Sequence, residues 1–159
     1  MIALGSNLRH HRWGHPRKVL TAATIQIGAE LGEVLAVAPV IDSAPIGPSL
    51  RTYANGALLL RTPLAPKALL REMKAIEQAF GRRTGGQRWT SRVLDLDIVL
   101  WSGGRFASRD LMIPHPAFRN RAFVLGPGAA IAPAWRDPLT GLTVRQLHAR
   151  LTRRGGLPR

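Results

Sequence analysis

Val93-Leu94-Asp95-Leu96-Asp97-Ile98-Val99-Leu100 decides the fold class of this chain. An apolar run of this length predicts a buried strand. Side chains on a strand alternate faces, so Asp95 and Asp97 share one face about 6.6 Å apart. Unpartnered carboxylates on a buried sheet would cost several kcal/mol, roughly, so cationic groups are expected against them. The residues just upstream supply them: Arg82-Arg83-Thr84-Gly85-Gly86-Gln87-Arg88-Trp89-Thr90-Ser91-Arg92. Carboxylates suited to a divalent metal, beside arginines suited to phosphate, point to chemistry on a nucleotide phosphate chain.

Working outward, Ile2-Ala3-Leu4 reads as a short strand ending at Gly5, followed by a polar loop over 7–14. A helix is predicted over 16–31, with Pro16 in its first turn, Val19, Leu20, Ala23, Ile27 and Leu31 at helical spacing, and Gly32 at its end. Strands follow over 33–41 and 53–61, separated by the turn-rich Ser43-Ala44-Pro45-Ile46-Gly47-Pro48. A second helix is predicted over 66–80, with the stripe Leu69, Met73, Ile76 and Phe80 and a stop at Gly81. The order βαββαβ is the ferredoxin-like arrangement of the α+β class: an antiparallel sheet with helices packed on it. After Gly103-Gly104 a less regular C-terminal extension is expected, ending in a helix over 144–151. Residues 1–159 read as one domain, with a disordered basic tail over about 152–159.

The chain has 159 residues, 45% of them hydrophobic, enough for a real core. It has no cysteine, which excludes disulfides, thiolate metal sites and a cysteine nucleophile and fits a cytoplasmic location. No stretch suits a signal peptide or a membrane span. Lys and Arg number 23 against 9 acidic residues, a net charge of +14 that attracts polyanions without choosing among them.

Two readings stand for Asp95 and Asp97: structural ion pairs with arginine, or ligands for Mg²⁺ that share the ion with water and substrate phosphates. Same-face carboxylates could bridge two metals in an in-line phosphoryl displacement. The arginine segment is either a solvated basic loop or a glycine-hinged lid over a substrate. Tyr53 and Asn55 share a strand face. An amide edge suits a heterocycle, and Tyr53 or Phe123 offers a flat surface for stacking. The default readings are a core position for Phe123, a turn-adjacent hydrogen bond for Asn55 and a solvated helix face for Glu77. His115 is held between two prolines, and His10, His11 and His15 have no metal-ligand spacing.

Taken in order, Ile2-Ala3-Leu4-Gly5-Ser6-Asn7-Leu8, Tyr53-Ala54-Asn55, Ile76-Glu77, Gly81-Arg82, Arg88-Trp89, Arg92, Asp95-Leu96-Asp97-Ile98, Pro114-His115-Pro116 and Arg121-Ala122-Phe123-Val124-Leu125 resemble the 6-hydroxymethyl-7,8-dihydropterin pyrophosphokinase family. The resemblance covers about residues 2–133. It implies transfer of pyrophosphate from ATP to the pterin hydroxymethyl group, with release of AMP, in folate biosynthesis. It implies Asp95 and Asp97 as ligands of two Mg²⁺, and Arg82 and Arg92 as catalytic arginines on the phosphates. It implies Ser43, Ala44, Ile46, Tyr53, Asn55, Trp89 and Phe123 around the pterin. Glu77, Arg82, Arg88, Arg92, Ile98, His115 and Arg121 would face ATP. A cytoplasmic monomer with small-molecule partners, without nucleic acid or membrane, is expected.

The chain departs from the family's pattern at several places. Thr90-Ser91 replaces the usual Gly-Pro, Thr84 stands where a second arginine is common, Lys74 replaces a glutamine-type contact, and Met112 replaces a small hydroxyl residue. The pterin loop has Ser43-Ala44 for the usual Thr-Pro and is about one residue short. Two rivals remain: a disabled pterin- or nucleotide-binding relative, and an RNA-binding ferredoxin-like module. The second lacks the aromatic motif that stacks bases and carries two aspartates that would repel a phosphate backbone.

Overall fold

The structure, a computed structural model, describes residues 1–44, 52–81 and 92–155. In chain order the elements are β1 (Ile2–Ser6), α1 (Pro16–Glu30), β2 (Glu33–Val37), β3 (Ile41–Ser43), β4 (Tyr53–Arg61), α2 (Pro66–Ala79), β5 (Asp95–Ile98), β6 (Phe106–Ala107), β7 (Met112–Ile113), a 3-10 turn (Phe118–Asn120), α3 (Ala122–Ile131) and α4 (Val144–Gly155). The main sheet runs β2-β4-β1-β5, with β3 also paired to β4, and every pairing is antiparallel. This is the ferredoxin-like order expected from the sequence.

Both core helices start on a proline, whose fixed φ suits the first turn. Val19, Leu20, Ala23 and Ile27 of α1 and Leu69, Met73 and Ile76 of α2 are buried. They cover one face of the sheet with Ile2, Leu4, Ala54, Leu58, Leu96 and Ile98. Gly32 closes α1 at φ +144, and a Cβ there would lie 2.2 Å from the carbonyl oxygen of Arg61. Only glycine lets the chain pass this close to β4.

A second core lies on the opposite face, where Met1, Ala3, Val99 and Leu100 meet Val124 and Leu125 of α3 and Val144 and Leu147 of α4. Helix α3 is a correction to the irregular stretch expected there. Gly126-Pro127-Gly128 reads as a breaker, yet Pro127 lies inside the helix and is buried with Gly128. The reason is a close approach: a Cβ on Gly128 would sit 3.1 Å from Sδ of Met1. Tertiary packing overrides local propensity here. The strand expected over 33–41 is two strands, both pairing with β4. Helix α4 runs on to Gly155, past the end expected near residue 151.

The strand of the two aspartates is shorter than the apolar run and lies at the sheet's edge. Leu94, Leu96, Val99 and Leu100 are buried, whereas Asp95 and Asp97 are half-buried. The buried strand of the sequence reading is therefore an edge strand with one wet face. Among the described residues, no helix is long and apolar enough to cross a membrane.

Candidate active site

The register of β4, β1 and β5 builds the site. Gly5 of β1 pairs with Asn55 of β4 on one side and with Asp95 of β5 on the other. Ala3 likewise lies between Ala57 and Asp97. Strand β1 thus contributes almost no side chain between the amide and the carboxylates. A Cβ on Gly5 would be 3.7 Å from Oδ1 of Asn55 and 4.0 Å from Cβ of Asp95. The bare backbone of β1 is the floor of a cavity of about 350 Å³. Its walls include Ser43, Ala44, Tyr53, Asn55, Arg92, Asp95, Asp97, Arg121 and Phe123.

One end of the cavity is neutral. Asn55 is buried and donates from Nδ2 to Oγ of Ser43 at 2.8 Å, and more weakly to the Tyr53 carbonyl at 3.4 Å. This bond joins β3 to β4 and fixes the amide plane. The turn-adjacent role expected for Asn55 is overturned, since it stands in the middle of the sheet. Phe123, at the start of α3, is half-buried against the second core and lines the cavity, so it is not a pure core residue. Burial raises the Tyr53 phenol pKa, with Arg92 opposing and Asp95 adding to the shift, so the hydroxyl stays protonated.

The other end is charged. Nη1 of Arg92 donates to Oδ1 of Asp95 at 2.6 Å. Burial works against the charge of Arg92, but Asp95, through its charge and this hydrogen bond, outweighs it with Glu77 and Asp97 behind. The guanidinium is held above its ordinary value. Around Asp97 the contacts are looser: Nε2 of His115 lies 3.7 Å from Oδ2, and Nη1 of Arg121 lies 3.9 Å away. Nδ1 of His115 accepts the Ala117 N–H at 3.2 Å, so the neutral ring carries its proton on Nε2, facing Asp97. Burial lowers the His115 pKa, against the pull of Asp97.

Among the described residues no group of three or more His, Asp or Glu could cage a metal. The donor set is two half-exposed carboxylates on one strand face. That set fits Mg²⁺, which keeps several waters and takes substrate phosphates as its remaining ligands.

Glu77 and Ile98 lie on the other face of the sheet. Ile98 packs in the core beneath α2 and does not line the cavity. Glu77 overturns its solvated reading: it is fully buried, with Oε1 accepting the Leu96 N–H at 2.8 Å and both oxygens taking Nζ of Lys74 at 3.0 and 2.9 Å. Ile46, Arg82, Thr84, Arg88, Trp89, Thr90 and Ser91 lie outside the described residues. The sequence reading missed the floor made by Ala3 and Gly5, whose signal was two small residues alternating on β1.

The sequence model of the 7,8-dihydro-6-hydroxymethylpterin-pyrophosphokinase (HPPK) family matches residues 1–133. Proteins named 2-amino-4-hydroxy-6-hydroxymethyldihydropteridine pyrophosphokinase are similar over much of the chain. The one from Synechocystis sp. is 44% identical over 105 residues, 66% of this chain and 53% of that protein. The one from Pseudomonas aeruginosa is 40% identical over 140 residues, covering 86% of this chain and 82% of that protein. The one from Methylorubrum extorquens is 34% identical over 152 residues, covering 94% and 91%. The chain therefore spans about half the length of the Synechocystis relative and more than four fifths of the other two. The crystal structure of Plasmodium falciparum HPPK-DHPS with pteroate superposes at a TM-score of 0.72 and 12% identity, covering 96% of this chain and 42% of that one, which bears on the fold alone. With most of its length matched by the family's own pattern, the chain belongs to the 7,8-dihydro-6-hydroxymethylpterin-pyrophosphokinase family.

Proposed function

We propose that this protein transfers the pyrophosphoryl group of ATP to the hydroxymethyl group of 6-hydroxymethyl-7,8-dihydropterin in folate biosynthesis. The products are AMP and the pterin pyrophosphate. The observation that carries the reading is the row Asn55–Gly5–Asp95, which sets a neutral heterocycle-sized end and a charged end in one cavity.

Asn55, fixed by Ser43, reads the polar edge of the pterin, and Tyr53 and Phe123 flank the ring. Ala44 closes the same end. The hydroxymethyl oxygen then points along the floor toward Asp95 and Asp97. It attacks the β-phosphorus in line: the new O–P bond forms, the bond from the β-phosphorus to the bridging oxygen breaks and leaves that oxygen on AMP, and the hydroxyl proton passes to water. Asp95 and Asp97 would hold two Mg²⁺, which when bound neutralise phosphate charge and lower the pKa of a coordinated hydroxyl. Arg92 and Arg121 meet the phosphates as planar donors, and His115 offers its Nε2–H. These fixed charges stabilise the transferring group, so catalysis is positioning and electrostatics.

Glu77 and Ile98 support the nucleotide end from behind β5. Arg82 on the phosphates, Arg88 beside ATP, and Ile46 and Trp89 over the pterin are carried by the family resemblance. The enzyme is read as a cytoplasmic monomer. An RNA-binding module is disfavoured because α3 packs on β3 and β4, on the sheet face that such a module leaves open.

The test is product analysis after mixing the protein with ATP, 6-hydroxymethyl-7,8-dihydropterin and Mg²⁺. AMP and pterin pyrophosphate in equal amounts, lost on chelation with EDTA, are expected. Binding of both substrates without AMP would identify a disabled relative.

A further inference from the structure

We propose that Asn7 is a positioning residue that holds Arg92 on Asp95. The proposal rests on the pyrophosphoryl-transfer reading, which gives Arg92 a phosphate to meet.

Asn7 is the residue after β1, and it is buried. Its backbone N–H donates to the Arg92 carbonyl at 3.1 Å, and its side-chain Oδ1 accepts the Arg92 N–H at 2.7 Å. The two residues are 85 apart in sequence. The need for this clamp follows from the strand register. Gly5 pairs with Asp95 in an ordinary antiparallel ladder, which if continued would set Asn7 opposite Val93. Instead Asn7 bonds Arg92, one residue further back, and residues 92–94 are not in strand. The ladder lapses where Arg92 sits, and the amide oxygen of Asn7 takes the N–H that the ladder no longer serves.

The clamp ties the backbone of Arg92 to the end of β1, three residues before Asp95. From there the guanidinium reaches Asp95 at 2.6 Å. An arginine has a long, flexible stem, so where its head can work depends on where its backbone is anchored. An error of about 1 Å in a positioned group can cost as much as about 100-fold in rate. An acceptor is required at position 7: aspartate retains one, and alanine does not.

The experiment compares Asn7→Ala, Asn7→Asp, Arg92→Ala and the Asn7→Ala/Arg92→Ala pair. It reads kcat and KM for both substrates, melting temperature, and hydrogen exchange of the Arg92 amide by NMR. Asn7→Ala should lower kcat roughly 10- to 100-fold with a smaller change in KM for the pterin. Asn7→Asp should recover most of that loss, and Asn7→Ala should cost little more once Arg92 is alanine. The Arg92 amide should be protected in the wild-type protein and exchange faster in Asn7→Ala. Full kcat in Asn7→Ala, or the same fold loss with and without the Arg92 side chain, overturns the proposal. If Asn7→Ala does not fold, Asn7→Ser, too short to reach the Arg92 N–H, takes its place in the same comparison. A wild-type protein that releases no AMP sinks the pyrophosphoryl reading instead. The clamp is then decided by the Arg92 amide, where equal exchange in wild type and variant overturns it.

Discussion

Glu77 accepts the backbone N–H of Leu96, the residue between the two site aspartates, at 2.8 Å. Strand β5 is an edge strand, and its outward N–H groups need partners. A buried carboxylate from α2 supplies one, and Lys74 neutralises it from one helical turn before. The height of the Asp95–Asp97 face is thus set from the opposite side of the sheet. Replacing Glu77 with Ala strands a buried donor, at a cost of about 1–3 kcal/mol. Calorimetry should show the lower melting temperature, with Glu77→Gln, which keeps an acceptor, closer to wild type.

Asp95 and Asp97 are half-exposed, so removing either carboxylate should leave the fold intact. Asp97→Ala is expected to lower turnover by at least about 100-fold, the usual loss on deleting a group that stabilises transition-state charge. A melting temperature within a few degrees of wild type, beside that loss of AMP release, is the expected pattern. An Asp97→Ala protein with undiminished turnover would refute the metal assignment.

At the neutral end, Phe123→Ala should weaken pterin binding about 10-fold, because ring stacking contributes about 0.5–1.5 kcal/mol beyond its buried area. ATP affinity should be unchanged. Titration calorimetry with each substrate separately gives the comparison, and an equal loss for both would place Phe123 in the core alone.

Acid sensitivity is built into the loop after β1. Nδ1 of His10 accepts the N–H groups of Arg12 at 3.0 Å and Trp13 at 3.2 Å, so it must be unprotonated. Nε2 is buried and makes no hydrogen bond among the described residues. Burial lowers the His10 pKa below its ordinary 6.5, with His11 and Arg12 adding to the shift. The unfolded chain therefore takes up this proton first as pH falls. The folded state keeps its full stability above pH 6.5 and loses it as pH drops from there toward the folded pKa. Burial lowers the His115 pKa as well, which adds to the same slope. Urea unfolding between pH 7.5 and 5 should show a shallower decline for His10→Asn, which keeps an acceptor near Nδ1 and cannot titrate.

Asp137 anchors the C-terminal part. It is fully buried and takes Arg119 through two bonds, at 2.7 and 2.6 Å, with Thr140 Oγ1 at 2.6 Å and the Leu139 N–H at 3.1 Å. Burial alone would raise its pKa, but the Arg119 and Thr140 bonds outweigh that and hold it below 3.8. Its contribution is present above pH 3.8 and is lost as pH falls below that value. Asp137→Ala leaves Arg119 uncompensated and should cost about 3–5 kcal/mol. Chemical denaturation at pH 7 measures it.

The sequence by itself determined the βαββαβ order of the core, because helical and strand periodicities differ and prolines and glycines mark the boundaries. Strand β4 was legible to the residue, since the turn-rich stretch before Tyr53 and Thr62-Pro63 after Arg61 mark off residues 53–61. The aspartate pair and its partner Arg92 were legible because charge inside an apolar run demands a partner. Glu77 was not, since its helical position lies off the apolar stripe and only the arrival of β5 buries it. Helix α3 was not, because Gly126 and Gly128 are poor helix formers whose small size matters only once Met1 and α4 stand against them. What tertiary structure alone decided is which distant residues meet. Asn55, Gly5 and Asp95 form one row, and Asn7 reaches Arg92, through strand register. Register is a property of paired chains, and a single chain's local pattern does not contain it.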